Sequence, residues 1–141
     1  MNIQEITLQD ALYEQTLPLR TEVISIPFGF PPPTKENESP DSRMFVAIDN
    51  EQVIGFAMIT PSKDRIRARQ VSVIPERQRQ GIGKQLMAKA EAVAKSMGYP
   101  ALDLFAHTDS HPFYLKLGYV KDGEWQTHDN GLKTIFMYKT L

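Results

Sequence analysis

A single mixed α/β domain is the fold class the sequence predicts, and three observations predict it. Apolar runs of strand length alternate with helical patterns along the whole chain. The length, 141 residues, is about that of one domain. Apolar residues make up 41% and charged residues 23%, with no cysteine, so the chain carries enough apolar side chains for a core without disulfides or a Cys-bound metal.

The elements follow in order. Ile3, Ile6 and Leu8 mark a first strand over residues 3–8. Asp10 is placed to cap a helix whose face carries Leu12, Thr16, Leu19 and Val23, and Pro18 interrupts it or starts a second helix. Residues 27–42 contain five of the ten prolines and no periodicity, and read as a long loop of the kind that is often functional. Residues 44–48 and 53–59 are apolar on both faces and flank Asp49-Asn50-Glu51-Gln52, as two central antiparallel strands around a hairpin turn would. A third strand spans 66–74 and ends at Pro75.

Residues 82–97 form an amphipathic helix. Ile82, Leu86, Ala90, Val93 and Met97 make its apolar stripe, Lys84, Ala88, Glu91 and Lys95 lie opposite, and Gly98 stops it. A buried strand over 101–106 precedes a short helix capped by Asp109 or Ser110 and ended by Gly118. Two last strands, 119–126 and 133–140, join at the turn residues Asp129-Asn130-Gly131.

Composition excludes several functions. Without cysteine there is no thiol nucleophile, iron–sulfur cluster or disulfide scaffold. No apolar run approaches the ~20 residues of a membrane span, and the N-terminus lacks a signal-peptide pattern, so a cytoplasmic protein without a membrane role is expected. His107 and His111 are four apart, but Thr108 stands where a metalloprotease motif needs glutamate and Pro112 follows, so no metal site is expected. No G-x-S-x-G elbow accompanies Ser110.

The net charge of −1 conceals an uneven spread. Eight basic residues and two acids lie between Lys63 and Lys89, while Met1–Ser42 holds seven acids against Arg20 and Lys35. No aromatic residues interleave the basic stretch, which argues against nucleic-acid binding.

The basic stretch contains a strand, a glycine turn and a helix start: Val71-Ser72-Val73-Ile74-Pro75-Glu76-Arg77-Gln78-Arg79-Gln80-Gly81-Ile82-Gly83-Lys84. The first amides of a helix lack intrahelical acceptors and lie at the positive end of its dipole, which favours phosphate. Gly81 and Gly83 leave room for a ligand at the backbone, and Arg77, Arg79 and Lys84 add charge. Neither the Walker pattern nor the dinucleotide fingerprint fits, because Gln78, Gln85 and Leu86 occupy required positions. These residues by themselves leave a phosphate site and a plain strand–helix turn both open.

Gln78-Arg79-Gln80-Gly81-Ile82-Gly83 resembles the [QR]-x-x-G-x-[GA] acyl-coenzyme A signature of the GCN5-related N-acetyltransferases, the GNAT superfamily. Phe113-Tyr114-Leu115-Lys116-Leu117-Gly118-Tyr119 is similar to that family's F-Y-x-K-x-G-[FY] segment, and the element order agrees from residue 2 to residue 141. The Leu19-Arg20 helix, the Pro-rich loop and Met137-x-Lys139-x-Leu141 also resemble the ElaA/YjcF-type subgroup.

The resemblance implies a mostly antiparallel mixed sheet with a central splay, flanked by helices, and an acetyl-CoA-dependent N-acetyltransferase with no metal. Val71 and Val73 would bind the pantetheine arm; Arg79, Gln80, Gly81, Ile82, Gly83 and Lys84 would hold the pyrophosphate; and Lys116 would lie near the phosphates. Tyr114 would be the general acid toward the departing thiolate. With no cysteine available, acyl transfer would be direct, in a ternary complex, to a small amine or peptide amine.

His107 stands where the family often has asparagine, and Ser110 where it usually has alanine. The acceptor's partners are open among Glu22, Glu36, Glu38, Asp41 and Glu76, with Gln70 and Ser72 on the candidate substrate side. The acidic N-terminal third is compatible with a cationic acceptor. A homodimer is compatible with the same reading. The alternative is a non-catalytic acyl-CoA-binding sensor or interaction module.

Overall fold

A computed structural model describes all 141 residues. One sheet runs through the molecule in the order β1 (Asn2–Ile6), β2 (Arg43–Asp49), β3 (Gln52–Ser62), β4 (Arg65–Val73), β5 (Ala101–His107), β8 (Lys133–Thr140) and β6 (Val120–Lys121), with β7 (Gln126–Thr127) also paired to β8. Every pairing is antiparallel except β4 with β5. That parallel contact is a single ladder position, Arg67 opposite Asp103. Beyond it the two strands separate, which is the central splay.

Strand alternation divides the core between two faces. Phe45, Ala57, Ile59, Ile66, Ala68, Leu104 and Met137 pack under α3 (Ile82–Ser96). Met44, Val46, Phe56 and Met58 of β2 and β3 face Tyr13 and Leu19 of α1 (Tyr13–Arg20). Gly55 lets α3 approach: a methyl there would stand 2.9 Å from Leu86 and 3.2 Å from Ile82.

The first helix departs from its periodicity. Pro18 lies inside α1 rather than breaking it, and the chain then widens into a π turn over Thr21–Ser25 before a last α turn, α2 (Ile26–Phe28). Neither Pro18 nor Pro27 can donate an i→i−4 bond, and the Ile26 amide reaches back five residues to the Thr21 carbonyl. Gly29, at φ 74°, terminates the helix, so the Pro-rich loop begins two residues later than its prolines predict.

Asn50 and Glu51 both adopt left-handed conformations in the β2–β3 turn, as a two-residue hairpin demands. The strand expected over 119–126 is instead two short pieces separated by a turn at Gly123 (φ 91°). Glu91, expected on the solvated face of α3, accepts from the Tyr119 hydroxyl at 2.7 Å and from Lys139 Nζ at 2.9 Å, tying the helix to the C-terminal segments. α4 (His111–Lys116) follows β5 directly. No helix is long and apolar enough to cross a membrane.

Candidate active site

Two features border the region where β4 and β5 part. One is a turn with open backbone amides at the start of α3, the other a cleft of about 980 Å³ on the α1 side of the sheet.

The turn is built by backbone. Arg79 and Gly81 both take left-handed φ values, 65° and 83°, which turn the chain into α3. None of the amides of Arg79, Gln80, Gly81, Ile82, Gly83 and Lys84 donates a hydrogen bond within the protein; the first bond of the helix runs from Gln85 to the Gly81 carbonyl. A methyl on Gly81 would meet nothing within 4 Å, so this side of the turn is open. Arg79 and Lys84 have no carboxylate within 4.0 Å and add uncompensated positive charge.

One expectation for this turn is corrected. The Arg77 guanidinium is already spent: it contacts Asp49 at 2.8 Å and Gln80 Oε1 at 2.9 Å, and it holds the Asp49 carboxyl below its ordinary range. Gly83 makes room for Phe113 of α4, whose ring would stand 3.1 Å from a methyl at that position. The missing side chain thus serves helix–helix packing, while the Gly83 amide stays among the free amides of the turn. Lys116 lies one turn beyond Phe113 and is exposed without an ion-pair partner.

The two valines of β4 differ in placement. Val71 lines the cleft. Val73 does not; it packs toward Gly83, and its carbonyl accepts from Gln78 Nε2 at 3.0 Å. Between them the strand is irregular. Phe56 pairs with Ser72 but Met58 pairs with Arg69, so β4 carries one extra residue, and Gln70 sits there at φ 55°. The bulge breaks the simple alternation that would put Gln70 and Ser72 on one face. Gln70 lines the cleft, while Ser72 is buried and donates to the Gln70 carbonyl at 3.0 Å.

The tightest polar cluster in the cleft was not legible as such in the sequence. Arg20, 1% exposed, holds both oxygens of Glu38, at 2.7 and 3.0 Å. It also donates to Gln70 Oε1 at 2.7 Å and stacks 4.4 Å over the Phe56 ring. The Tyr13 hydroxyl gives Glu38 a further bond at 2.8 Å. Burial works to raise the Glu38 carboxyl, but hydrogen bonds from Arg20 and Tyr13, with the charges of Arg20 and Arg69, outweigh it and hold it below the ordinary carboxylate range. Burial and the same carboxylate push the Tyr13 phenol up to about 12. Glu38 is therefore an ionised structural acceptor, not a free base. Glu22, Glu36, Asp41 and Glu76 do not line the cleft. The signal was present, since Thr16 and Arg20 share the buried stripe of α1 at i, i+4.

Tyr114 reaches the cleft from α4. Its side chain is 7% exposed, and its hydroxyl makes no hydrogen bond to the protein, yet the oxygen is not sealed from the cleft. Burial alone pushes the phenol well above its ordinary value, so it is fully protonated at neutral pH.

His107 ends β5 and also lines the cleft. Its Nδ1 accepts the Asp109 amide at 3.2 Å, which leaves the proton on Nε2, and its ring packs 4.4 Å from Phe28. Burial, partly opposed by Asp109, lowers its pKa. Ser110 stands at the helix cap position, but its hydroxyl turns back to the His107 backbone, accepting the amide at 3.1 Å. His111 packs on Trp125 instead, and no group of three or more His, Asp or Glu residues stands close enough to hold a metal ion. The Pro-rich loop closes one wall of the cleft, with Asn130 Nδ2 donating to the Phe28 carbonyl at 2.9 Å.

Residues 40–121, which run from the end of the Pro-rich loop through β6, match the Acetyltransferase (GNAT) domain family. The chain belongs to the GNAT acetyltransferase family. Solved structures agree on the fold. An acyl-CoA N-acyltransferase from Pseudomonas aeruginosa is 21% identical, with 99% of each chain covered and a TM-score of 0.79. ElaA from Escherichia coli is 19% identical, again with 99% of each chain covered, at a TM-score of 0.78. An aminoglycoside 6′-N-acetyltransferase complexed with coenzyme A is 18% identical over 99% of this chain and 97% of that one, at a TM-score of 0.81.

For a GNAT acetyltransferase the arrangement is chemically coherent. The coenzyme A held by the aminoglycoside acetyltransferase is a polyanion. Here the open amides of residues 79–84 and the splay between β4 and β5 lie at the same end of the sheet.

Proposed function

We propose that this protein is an N-acetyltransferase that moves an acetyl group from acetyl-CoA directly to a primary amine in a ternary complex. The observation that carries this reading is the run of six consecutive amides, Arg79 to Lys84, with no acceptor in the protein. Such a run at a helix N-terminus is a ready anion site. Arg79, Lys84 and Lys116 supply side-chain charge around it.

Bound there, acetyl-CoA would supply an activated acyl group at the end of an arm lying in the splay. Val71 and Val73 flank that path with strand backbone freed by the loss of pairing past Arg67. An unpaired strand amide near Val73 would meet the carbonyl oxygen as charge develops on it. Tyr114, held protonated and without a protein partner, gives its phenol proton to the sulfur as the C–S bond breaks. The amine nitrogen forms the new C–N bond and releases one proton. Both carboxylates deep in the cleft, Glu38 and Asp103, are engaged by arginines, so that proton passes to water and a proton returns to Tyr114. No cysteine is available for an acyl-enzyme, in keeping with direct transfer.

A panel of amines, amino sugars, polyamines and peptides incubated with acetyl-CoA, read by release of free thiol, tests the reading. Acceptor-dependent thiol release supports it. Saturable acetyl-CoA binding without release on any acceptor would replace it with a non-catalytic acyl-CoA sensor.

A further inference from the structure

The charge of the acceptor cleft runs opposite to that of the N-terminal third beside it. Of that segment's seven acids only Glu38 lines the cleft, and Arg20 neutralises it. The positive charge comes from β4. Alternation sends Ile66 and Ala68 into the core under α3 and brings Arg65, Arg67 and Arg69 to the other face, where they line the cleft. Residues two apart on a strand are roughly 6.6 Å apart, so the three guanidiniums form a ladder.

Pairing these groups off leaves an excess. Arg20, Lys63, Arg65, Arg67 and Arg69 line the cleft against Glu38, Asp64 and Asp103. Arg67 takes Asp103 at 2.8 Å, and Arg65 only brushes the same carboxylate at 3.8 Å. Arg69 and Lys63 have no carboxylate within 4.0 Å. Arg69 is also the residue just before the bulge at Gln70. Arg69, Val71 and Tyr114 all line the same cleft, so the free guanidinium borders the space that the Tyr114 phenol reaches. Glu38 and Asp103 are both already paired, and Asp64, the one lining carboxylate without a partner, sits on the β3–β4 turn between Lys63 and Arg65 rather than beside Arg69.

We infer that the acceptor is an amine that also carries an anionic group, a carboxylate or a phosphate, which Arg69 binds while the amine faces Tyr114 and the splay. The guanidinium fork matches either anion bidentately. This rests on the acetyltransferase reading above, and it adds the chemical class of the second substrate. The acceptor cleft selects for negative charge, and Arg65 extends the ladder for acceptors longer than a single amino acid.

The test pairs acceptors that differ only in charge: an amino acid and its amide, an aminoalkyl phosphate and the corresponding amino alcohol, and spermidine as a polycation. Thiol release is measured with each, alongside calorimetric titration of acetyl-CoA alone. The expected result is a kcat/KM at least tenfold higher for the anionic member of a pair, with the better pair identifying carboxylate or phosphate. Arg69→Gln should collapse that ratio toward one, and Arg69→Lys should restore part of it. A preference for the amide, the alcohol or spermidine overturns the inference, as does an acid-to-amide ratio unchanged in Arg69→Gln. Acetyl-CoA binding without transfer to any anionic amine also overturns it. Failure of acetyl-CoA to bind at all removes the acetyltransferase reading itself and is told apart by the calorimetry.

Discussion

Arg67 and Asp103 meet at both main chain and side chain: they are the only paired position between β4 and β5, and Arg67 Nε lies 2.8 Å from Asp103 Oδ1. The pair thus fixes the point from which the two strands diverge. Arg67 also stacks over Phe105 at 4.7 Å, so β5 holds the guanidinium from two sides. Asp103→Asn should weaken this hinge and leave Arg65 and Arg67 both without a carboxylate. We expect a loss of about 1–2 kcal/mol in denaturant unfolding, since a half-buried charge-assisted bond is weakened.

The two glycines of the α3 turn should separate in their effects. Gly81→Ala places a methyl in open space but keeps a left-handed φ, at a cost of about 1–2 kcal/mol. Its acetyl-CoA affinity should fall about tenfold or more, because the methyl enters the space beside the free amides. Gly83→Val instead collides with Phe113, so its first effect should be a lowered Tm without ligand. Thermal melts with and without acetyl-CoA distinguish the two.

Tyr114→Phe removes a hydroxyl that bonds to nothing in the protein. Stability should therefore change little, while kcat falls by about a hundredfold with acetyl-CoA affinity nearly constant. Wild-type turnover in this variant would move the proton donor elsewhere.

The sequence made the sheet, α3 and the glycine turn legible because each rests on local pattern. Strand alternation, the 82–97 stripe and left-handed glycines are all encoded within a few residues. The misreadings came from features that need distant partners. Arg20 is only one charge in a count until Glu38, eighteen residues on, and Gln70, fifty on, close around it. That Gly83 also makes room for Phe113, thirty residues on, is a contact no local pattern shows. The bulge at Gln70 leaves no trace in composition, and it reassigns Ser72 from the cleft to the core. The arginines at 65, 67 and 69 were visible at alternate positions, but only the fold shows that their face is left uncovered by α1.

Breaking the buried pair should be costly in one direction. Arg20→Met leaves an ionised Glu38 without its guanidinium, with an expected loss of about 3–5 kcal/mol by chemical denaturation. The double variant Arg20→Met/Glu38→Leu should recover much of it, because no charge is then stranded.

Acid should weaken the fold through the same carboxylate. The folded pKa of Glu38 lies below its ordinary value of 4.5, so its contribution is present above about pH 4.5 and is lost as pH falls through the folded value. His107 acts in the same sense at higher pH. Its folded pKa lies below 6.5, so the unfolded chain takes up the proton first and stability declines as pH drops below that value. Unfolding free energies measured from pH 8 to pH 2 should fall in both windows, and His107→Gln should flatten only the upper one.

Hydrogen exchange on the protein with and without saturating acetyl-CoA reaches the central claim most directly, since it reads the backbone amides themselves. Slowed exchange is expected at residues 79–84, whose amides have no acceptor in the protein, and along 71–73 of β4, with β1 and β2 unchanged. Saturating acetyl-CoA that leaves exchange at residues 79–84 unaltered would contradict the account.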